Sequence, residues 1–223
     1  MIRGSIFNSD CDAVVNTVNC KGVMGKGLAL EFKYRYPEMF LDYKLRAEKG
    51  EIKIGKLTLW DNKDIKIINF PTKFDWKYPS KIDYIKEGLN FFKSHYRLWG
   101  INSVAFPGLG TDQGGLNFKE VVSLIKDCLG SEEISIEIYE YTSDSKDRLF
   151  EKLSGKMAKW TLQDFKNEGI SKKNATEIME GLKSGKINSF TKISAIKGVG
   201  ESTLTRLYSL SKQKNNISQK NLF

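Results

Sequence analysis

Histidine is almost missing from this chain of 223 residues, with His95 the single example. Cysteine is scarce too, and Cys11, Cys20 and Cys128 form no CxxC pair. These absences argue against a Cys/His zinc site and against catalysis built on a histidine base. An odd number of thiols cannot all pair internally, which fits a reducing compartment. No apolar run approaches the roughly 20 residues that span a bilayer. Met1-Ile2-Arg3 also opens without the apolar centre of a secretory signal. We therefore expect a soluble, cytoplasmic protein that needs no metal and touches no membrane.

Acidic residues are in deficit as well, 27 against 36 Lys and Arg, leaving a formal net charge of +9. The excess is unevenly placed. Residues 1–150 hold 22 basic and 21 acidic residues, whereas residues 151–223 hold 14 and 6, a net of +8 in the last third. Such asymmetry concerns partners, because summed charge sets the long-range attraction to polyanions. The length suits one domain with a small appendage, and the appendage is where a nucleic acid or an anionic surface would be met.

What is present in the first 150 residues is an alternation of β-like and helical patterns. Short runs rich in β-branched or aromatic residues predict strands at Ile2–Phe7, Ala13–Asn16, Lys56–Trp60, Lys66–Phe70, Ser103–Phe106 and Ile134–Tyr139. Helical patterns cover Leu28–Tyr34, continue past Pro37 into Phe40–Lys49, and recur at Ser80–Arg97 and Asn117–Cys128. Strands alternating with helices argue an α/β fold around a parallel or mixed sheet, and such sheets bind ligands beyond the carboxyl ends of their strands.

Two post-strand loops are rich in glycine. One runs Thr17-Val18-Asn19-Cys20-Lys21-Gly22-Val23-Met24-Gly25-Lys26-Gly27, and the other Pro107-Gly108-Leu109-Gly110-Thr111-Asp112-Gln113-Gly114-Gly115. Both lead into helices. Glycine lets backbone N–H groups approach a ligand closely, and a helix N-terminus favours anions, so the pair could grip two phosphates of one ligand. Ordinary strand-to-helix connectors share this composition. Neither loop matches a P-loop or GxGxxG, which disfavours a kinase or a Rossmann enzyme.

The run Val15-Asn16-Thr17-Val18-Asn19 followed by Gly22-Val23-Met24-Gly25-Lys26-Gly27-Leu28-Ala29 is the first of three spaced motifs. The others are Phe70-Pro71-Thr72-Lys73 with Trp76, and Pro107-Gly108-Leu109-Gly110 with Gly114-Gly115-Leu116. Together they resemble the macrodomain family, over about residues 1–142, and within it the DarG branch of DNA ADP-ribosyl glycohydrolases, antitoxins of DarT toxins. The resemblance implies a three-layer α/β/α sandwich with a mixed sheet. It also implies an ADP-ribose site and removal of ADP-ribose from DNA bases, with ADP-ribose as ligand and product and no cofactor.

Carried over residue by residue, the resemblance makes Lys73 catalytic and gives Asn19 the distal ribose. An amide both donates and accepts, so it can orient a diol, the competing reading being that Asn at this position only caps a turn. Asn16 is a further ligand candidate. A lysine could attack the anomeric carbon and pass through an opened-ring Schiff base, or it could position or protonate the leaving base. The phosphate grip falls to Gly25, Lys26 and Gly27 and to Gly110, Thr111, Asp112, Gln113, Gly114 and Gly115. Asp112 is awkward there, since a carboxylate repels a diphosphate unless it points away. Where the family usually has Gly-Asp-Ile, this chain has Gly4-Ser5-Ile6, so Ser5 and Ile6 would meet the adenine with a shorter, uncharged acceptor. Tyr141 is the candidate to stack on that adenine, unless it only packs a strand. Phe74, Trp76, Lys77 and Tyr78, with Lys81, interleave aromatics and cations as single-stranded nucleic-acid grooves do. Trp76 could instead anchor the loop from below.

Residues 1–143 are expected to form this domain and residues 144–157 a polar linker. Residues 158–211 would form a small all-α helix-hairpin-helix-like DNA-binding domain, and residues 212–223 a flexible tail. Ile196-Lys197-Gly198-Val199-Gly200 has the apolar-Lys-Gly-apolar-Gly form of that hairpin, whose backbone N–H groups meet a DNA phosphate. Lys197, Gly198, Gly200 and Thr203 are its candidate contacts. Gly169-Ile170-Ser171 is a weaker copy, expected to pack rather than bind. The expected partners are ADP-ribosylated single-stranded DNA and a DarT-like toxin, met by a monomer. A non-catalytic ADP-ribose reader on DNA and an ADP-ribosyl-protein hydrolase are the alternatives.

Overall fold

The computed structural model describes residues 1–142 and 145–213. They fall into two compact units that divide between Asp147 and Arg148. The first unit holds strands β1 (Ile2–Arg3), β2 (Ala13–Asn19), β3 (Thr58–Asp61), β4 (Lys66–Lys73), β5 (Ser103–Pro107) and β6 (Ser135–Glu140). Its helices are α1 (Gly27–Arg35), α2 (Pro37–Glu48), α3 (Ile82–His95) and α4 (Phe118–Leu129). The strands form one sheet in the order β1-β6-β5-β2-β4-β3, parallel throughout except for antiparallel β3 against β4. This is the mixed sheet anticipated from the alternating pattern.

Strand alternation explains why the sheet is covered on both sides. In β2 nearly every residue is buried, as expected of a central parallel strand. Ala13 and Val15 point into one core with Phe70, Ile85, Leu89 and Phe92, closed by Val121 and Ile125 of α4. Val14 and Val18 point the other way, to Phe32, Met39 and Tyr43 of α1 and α2. Helix, sheet and helix are therefore three layers. The ends of the helices have local causes. Pro37 occupies the first turn of α2, where its missing N–H costs nothing, and the helical pattern splits there into two helices. Asn117 caps α4 by accepting from the Lys119 and Glu120 N–H groups at 2.9 and 3.2 Å.

Two expectations change. The strand expected over Ile2–Phe7 stops at Arg3, because the chain turns at Ile6–Asn8 into a short 3-10 turn that drops Ile6 into the α1/α2-side core. Most of the expected linker 144–157 is helix: α5 (Arg148–Met157) places Phe150, Leu153 and Met157 at helical spacing, and all three are buried.

In the second unit α5 is followed by α6 (Leu162–Asn167), α7 (Lys172–Lys183), α8 (Phe190–Ser194) and α9 (Glu201–Lys212). Thr161 and Asp164 close a capping box at the start of α6. The Phe190 ring stacks on Tyr208 at 3.8 Å, fixing α8 against α9. Gly169 and Gly198 make the turns before α7 and α9 at φ +75° and +95°, a region open to glycine. Lys212 closes α9, and the rest of the expected tail, residues 214–223, lies outside the described residues. No helix among the described residues is long and apolar enough to cross a membrane.

Gly88 shows how tightly α3 meets the sheet. A Cβ built there would stand 2.2 Å from Cζ of Phe70 on β4. Gly→Ala in a helix ordinarily stabilises by about 1 kcal/mol, but overpacking a core costs about 1–3 kcal/mol. We expect Gly88→Ala to destabilise the first unit, seen as faster hydrogen exchange of β4 and α3 amides. Equal or slower exchange would contradict the packing described.

Candidate active site

Parallel pairing across β1, β6, β5, β2 and β4 brings their carboxyl ends to one edge of the sheet. The residues singled out in the first unit's loops sit there together. Ser5 follows β1, Tyr141 follows β6, the second glycine loop follows β5, and Asn19 and Lys73 end β2 and β4. A register shift between Val18 and Asn19 sets Asn19 directly opposite Lys73. The Cys20 N–H then donates to both the Lys73 and Phe74 carbonyls at 3.1 Å, locking the two strand ends side by side.

Asn19 is buried and its side chain organises the first loop. Its Oδ1 accepts from the Lys21 and Val23 N–H groups at 2.9 and 3.4 Å, and its Nδ2 donates to the Val23 carbonyl at 2.6 Å. This is the turn-capping role that competed with the ribose role in the sequence. From beneath, the Tyr43 hydroxyl of α2 donates to the Asn19 carbonyl at 2.6 Å, and burial pushes that phenol far above its ordinary range. Asn16 is fully buried, donating through Nδ2 to Asn69 Oδ1 at 3.0 Å beneath Met24. Among the described residues Asn16 Oδ1 and Asn69 Nδ2 have no partner.

Lys73 reaches out of β4 to the second glycine loop, its Nζ donating to the Gln113 carbonyl. That loop is braced internally. Thr111 bonds the Gly108 carbonyl through both N–H and hydroxyl, at 3.3 and 3.0 Å, and Leu116 N–H bonds the Gly110 carbonyl at 3.0 Å. Ser80 props it from below, its N–H donating to the Gly114 carbonyl at 3.0 Å. Glycine at 114 is dictated by this packing, since a Cβ would stand 2.3 Å from both the Gly110 carbonyl oxygen and Ser80 Oγ. The two glycine loops touch: a Cβ on Gly27, whose φ is +57°, would lie 2.9 Å from Asp112 Oδ2. Asp112 is exposed, yet its carboxylate faces the start of α1, where a negative group is favoured.

Among the described residues no hydrogen bond takes up the N–H of Gly25, Lys26, Asp112, Gln113 or Gly114. Two abutting loops thus bring N–H groups without a partner to the edge of the sheet where Lys73 meets the Gln113 carbonyl. At the far edge Gly4 N–H bonds the Glu140 carbonyl at 3.1 Å, which sets the buried Ser5 and Ile6 near the half-exposed Tyr141. On the other flank Phe74, Trp76 and Tyr78 are all more than half exposed, so Trp76 is not a core anchor. The Nζ of Lys77 lies 5.5 Å from the Trp76 ring, and that of Lys81, at the N-cap of α3, lies 5.5 Å from Tyr84. In the second unit Lys197, Gly198, Gly200 and Thr203 all lie in the α8–α9 turn and the first turn of α9. Sequence reasoning missed Tyr43, Asn69 and Ser80. Only Asn69 carried a signal, a polar residue inside an apolar strand.

Residues 15–125 match the family model of the Macro domain. A DNA ADP-ribosyl glycohydrolase of Mycobacterium tuberculosis is 48% identical over 122 residues, which is 53% of this chain and 35% of that protein. The chain thus spans about a third of that relative's length. The solved macrodomain of Mycobacterium tuberculosis DarG is 42% identical with a TM-score of 0.61, covering 62% of this chain and 95% of that one. Thermosipho africanus DarTG, solved in complex with ADP-ribose, is 33% identical with a TM-score of 0.59, covering 65% of this chain and 41% of that one. A sheet whose parallel strands end in two touching glycine loops is thus matched by fold, by family model and by sequence, and the chain belongs to the Macro domain family.

Proposed function

We propose that this chain is a hydrolase that removes ADP-ribose from ADP-ribosylated DNA bases, reversing the modification made by a DarT-like toxin. The observation that carries this reading is the juxtaposition of Asn19, Lys73 and the two donor-rich loops at one sheet edge. The diphosphate of ADP-ribose would lie against the free N–H groups of Gly25, Lys26, Asp112, Gln113 and Gly114. Gly27, Gly110 and Gly115 keep the backbone close enough to be reached. The adenine end would extend toward Ser5, Ile6 and Tyr141, and the distal ribose toward Asn19. That order places the anomeric carbon next to Lys73.

Hydrolysis adds water across the bond between the ribose and the base nitrogen, giving free ADP-ribose and a base that regains its proton. Positive charge develops on the sugar as the bond breaks. Lys73 would assist by attacking the anomeric carbon through its amine, or by protonating the departing base. Its bond to the Gln113 carbonyl fixes Nζ between the diphosphate loop and the end of β4. On the exit side, Trp76, Lys77 and Lys81 suit an unpaired nucleotide and its phosphates.

The second unit is proposed to hold the DNA. Gly198 at φ +95°, Lys197 before it and the N-terminus of α9 after it give a hairpin suited to a backbone phosphate. The net +8 over residues 151–223 has the sign such a role requires.

The direct test follows ADP-ribose released from an ADP-ribosylated single-stranded oligonucleotide and from an ADP-ribosylated protein. The reading predicts release from the oligonucleotide. Binding without release would make the chain a reader, and release from protein alone would make it a protein hydrolase. Lys73→Ala should lower release at least about a hundredfold, the usual worth of a lost acid–base or nucleophilic group, while calorimetry shows ADP-ribose still bound. Wild-type turnover in that variant would refute the role of Lys73. Lys197→Gln should reduce the log–log salt slope of single-stranded DNA binding by about 0.7, one phosphate contact. An unchanged slope would remove Lys197 from the DNA face.

A further inference from the structure

We infer that Phe74, held by Lys21, is the platform on which the modified base stacks while its bond to ADP-ribose breaks, an inference that rests on the proposed action on DNA. The place is fixed by backbone. Phe74 follows Lys73 directly, and its carbonyl shares the Cys20 N–H with that of Lys73, so the ring leaves the chain one residue after Lys73. Lys21 comes from the opposite strand end, its N–H tied to Asn19 Oδ1 at 2.9 Å, and its Nζ stands 4.4 Å from the Phe74 ring centroid. The two residues thus leave the same two strand ends that carry Asn19 and Lys73.

Phe74 is 56% exposed, and with Trp76 and Tyr78 it puts three exposed aromatics within five residues, an apolar patch of the kind that marks a binding surface. Here one face is met by an ammonium group, which orders the ring through a cation–π contact. The remaining apolar surface is left to a flat partner. Its turn is braced as well, with Lys77 N–H on Asp75 Oδ1 at 3.0 Å and Tyr78 N–H on the Asp75 carbonyl at 3.2 Å, so Trp76 and Tyr78 are carried on a defined loop. Leaving groups of ADP-ribosylated proteins at acidic or hydroxyl side chains have no π face. A nucleobase has two, and it must be unpaired to offer one here. The Lys21 ammonium also supplies a charge for the phosphate next to that base. The occupant that fits is therefore an unpaired base of single-stranded DNA.

The test compares the full chain with Phe74→Ala, Phe74→Trp and Lys21→Gln, measuring kcat/KM on an ADP-ribosylated single-stranded oligonucleotide and the affinity for free ADP-ribose. Loss of one base–aromatic stack should lower kcat/KM in Phe74→Ala about tenfold to a hundredfold, with ADP-ribose affinity unmoved. Phe74→Trp should recover most of that loss, and Lys21→Gln should fall between. Wild-type kcat/KM in Phe74→Ala, or an equal loss of free ADP-ribose binding, would overturn the platform while leaving the proposed hydrolysis standing. No release by the wild-type chain would overturn both.

Discussion

A sheet covered by helices on both faces can expose its chemistry only where its strands end. In this chain β2 and β4 are buried along nearly their whole length, and their last positions, Asn19 and Lys73, meet in register at the sheet's edge. The register shift after Val18 is the decisive local event. Without it Lys73 would be out of step with Asn19, and the Cys20 N–H could not tie both strand ends together. Parallel pairing extends that alignment to β5, β6 and β1, so one edge collects every loop the site requires.

In the proposed site backbone, more than side-chain charge, supplies recognition. The two glycine loops touch through Gly27 and Asp112, are propped by Ser80 and Tyr43, and leave N–H groups without a partner among the described residues. This division explains how a first unit with almost no net charge can be read as an anion binder. The formal charge of the chain resides in the second unit, which is where the proposed function puts the long-range attraction to DNA.

Much of this was legible in the sequence because it is local. Strand runs, glycine loops and the Phe70-Pro71-Thr72-Lys73 motif announce themselves by composition and spacing, and the elements fell within a few residues of their expected ends. What failed to show is non-local. Ser80 looks like any serine before a helix until Gly114 is folded onto it, and Tyr43 like any core tyrosine until it reaches the Asn19 carbonyl. Asn19 read in sequence as a ribose ligand ahead of a turn-cap, and its amide's capping of the Lys21–Val23 turn emerges only in the fold. The 144–157 stretch misled because its lysines and serines masked the Phe150, Leu153, Met157 stripe.

That the two loops at the strand ends form one ADP-ribose site is the claim on which the rest turns. Amide chemical shifts followed by NMR during titration with ADP-ribose test it most directly. The account predicts the largest changes at Gly25, Lys26, Asp112, Gln113 and Gly114 together, with the Asn19 side-chain amide moving alongside. Changes confined to one loop, or gathered away from this edge of the sheet, would contradict it.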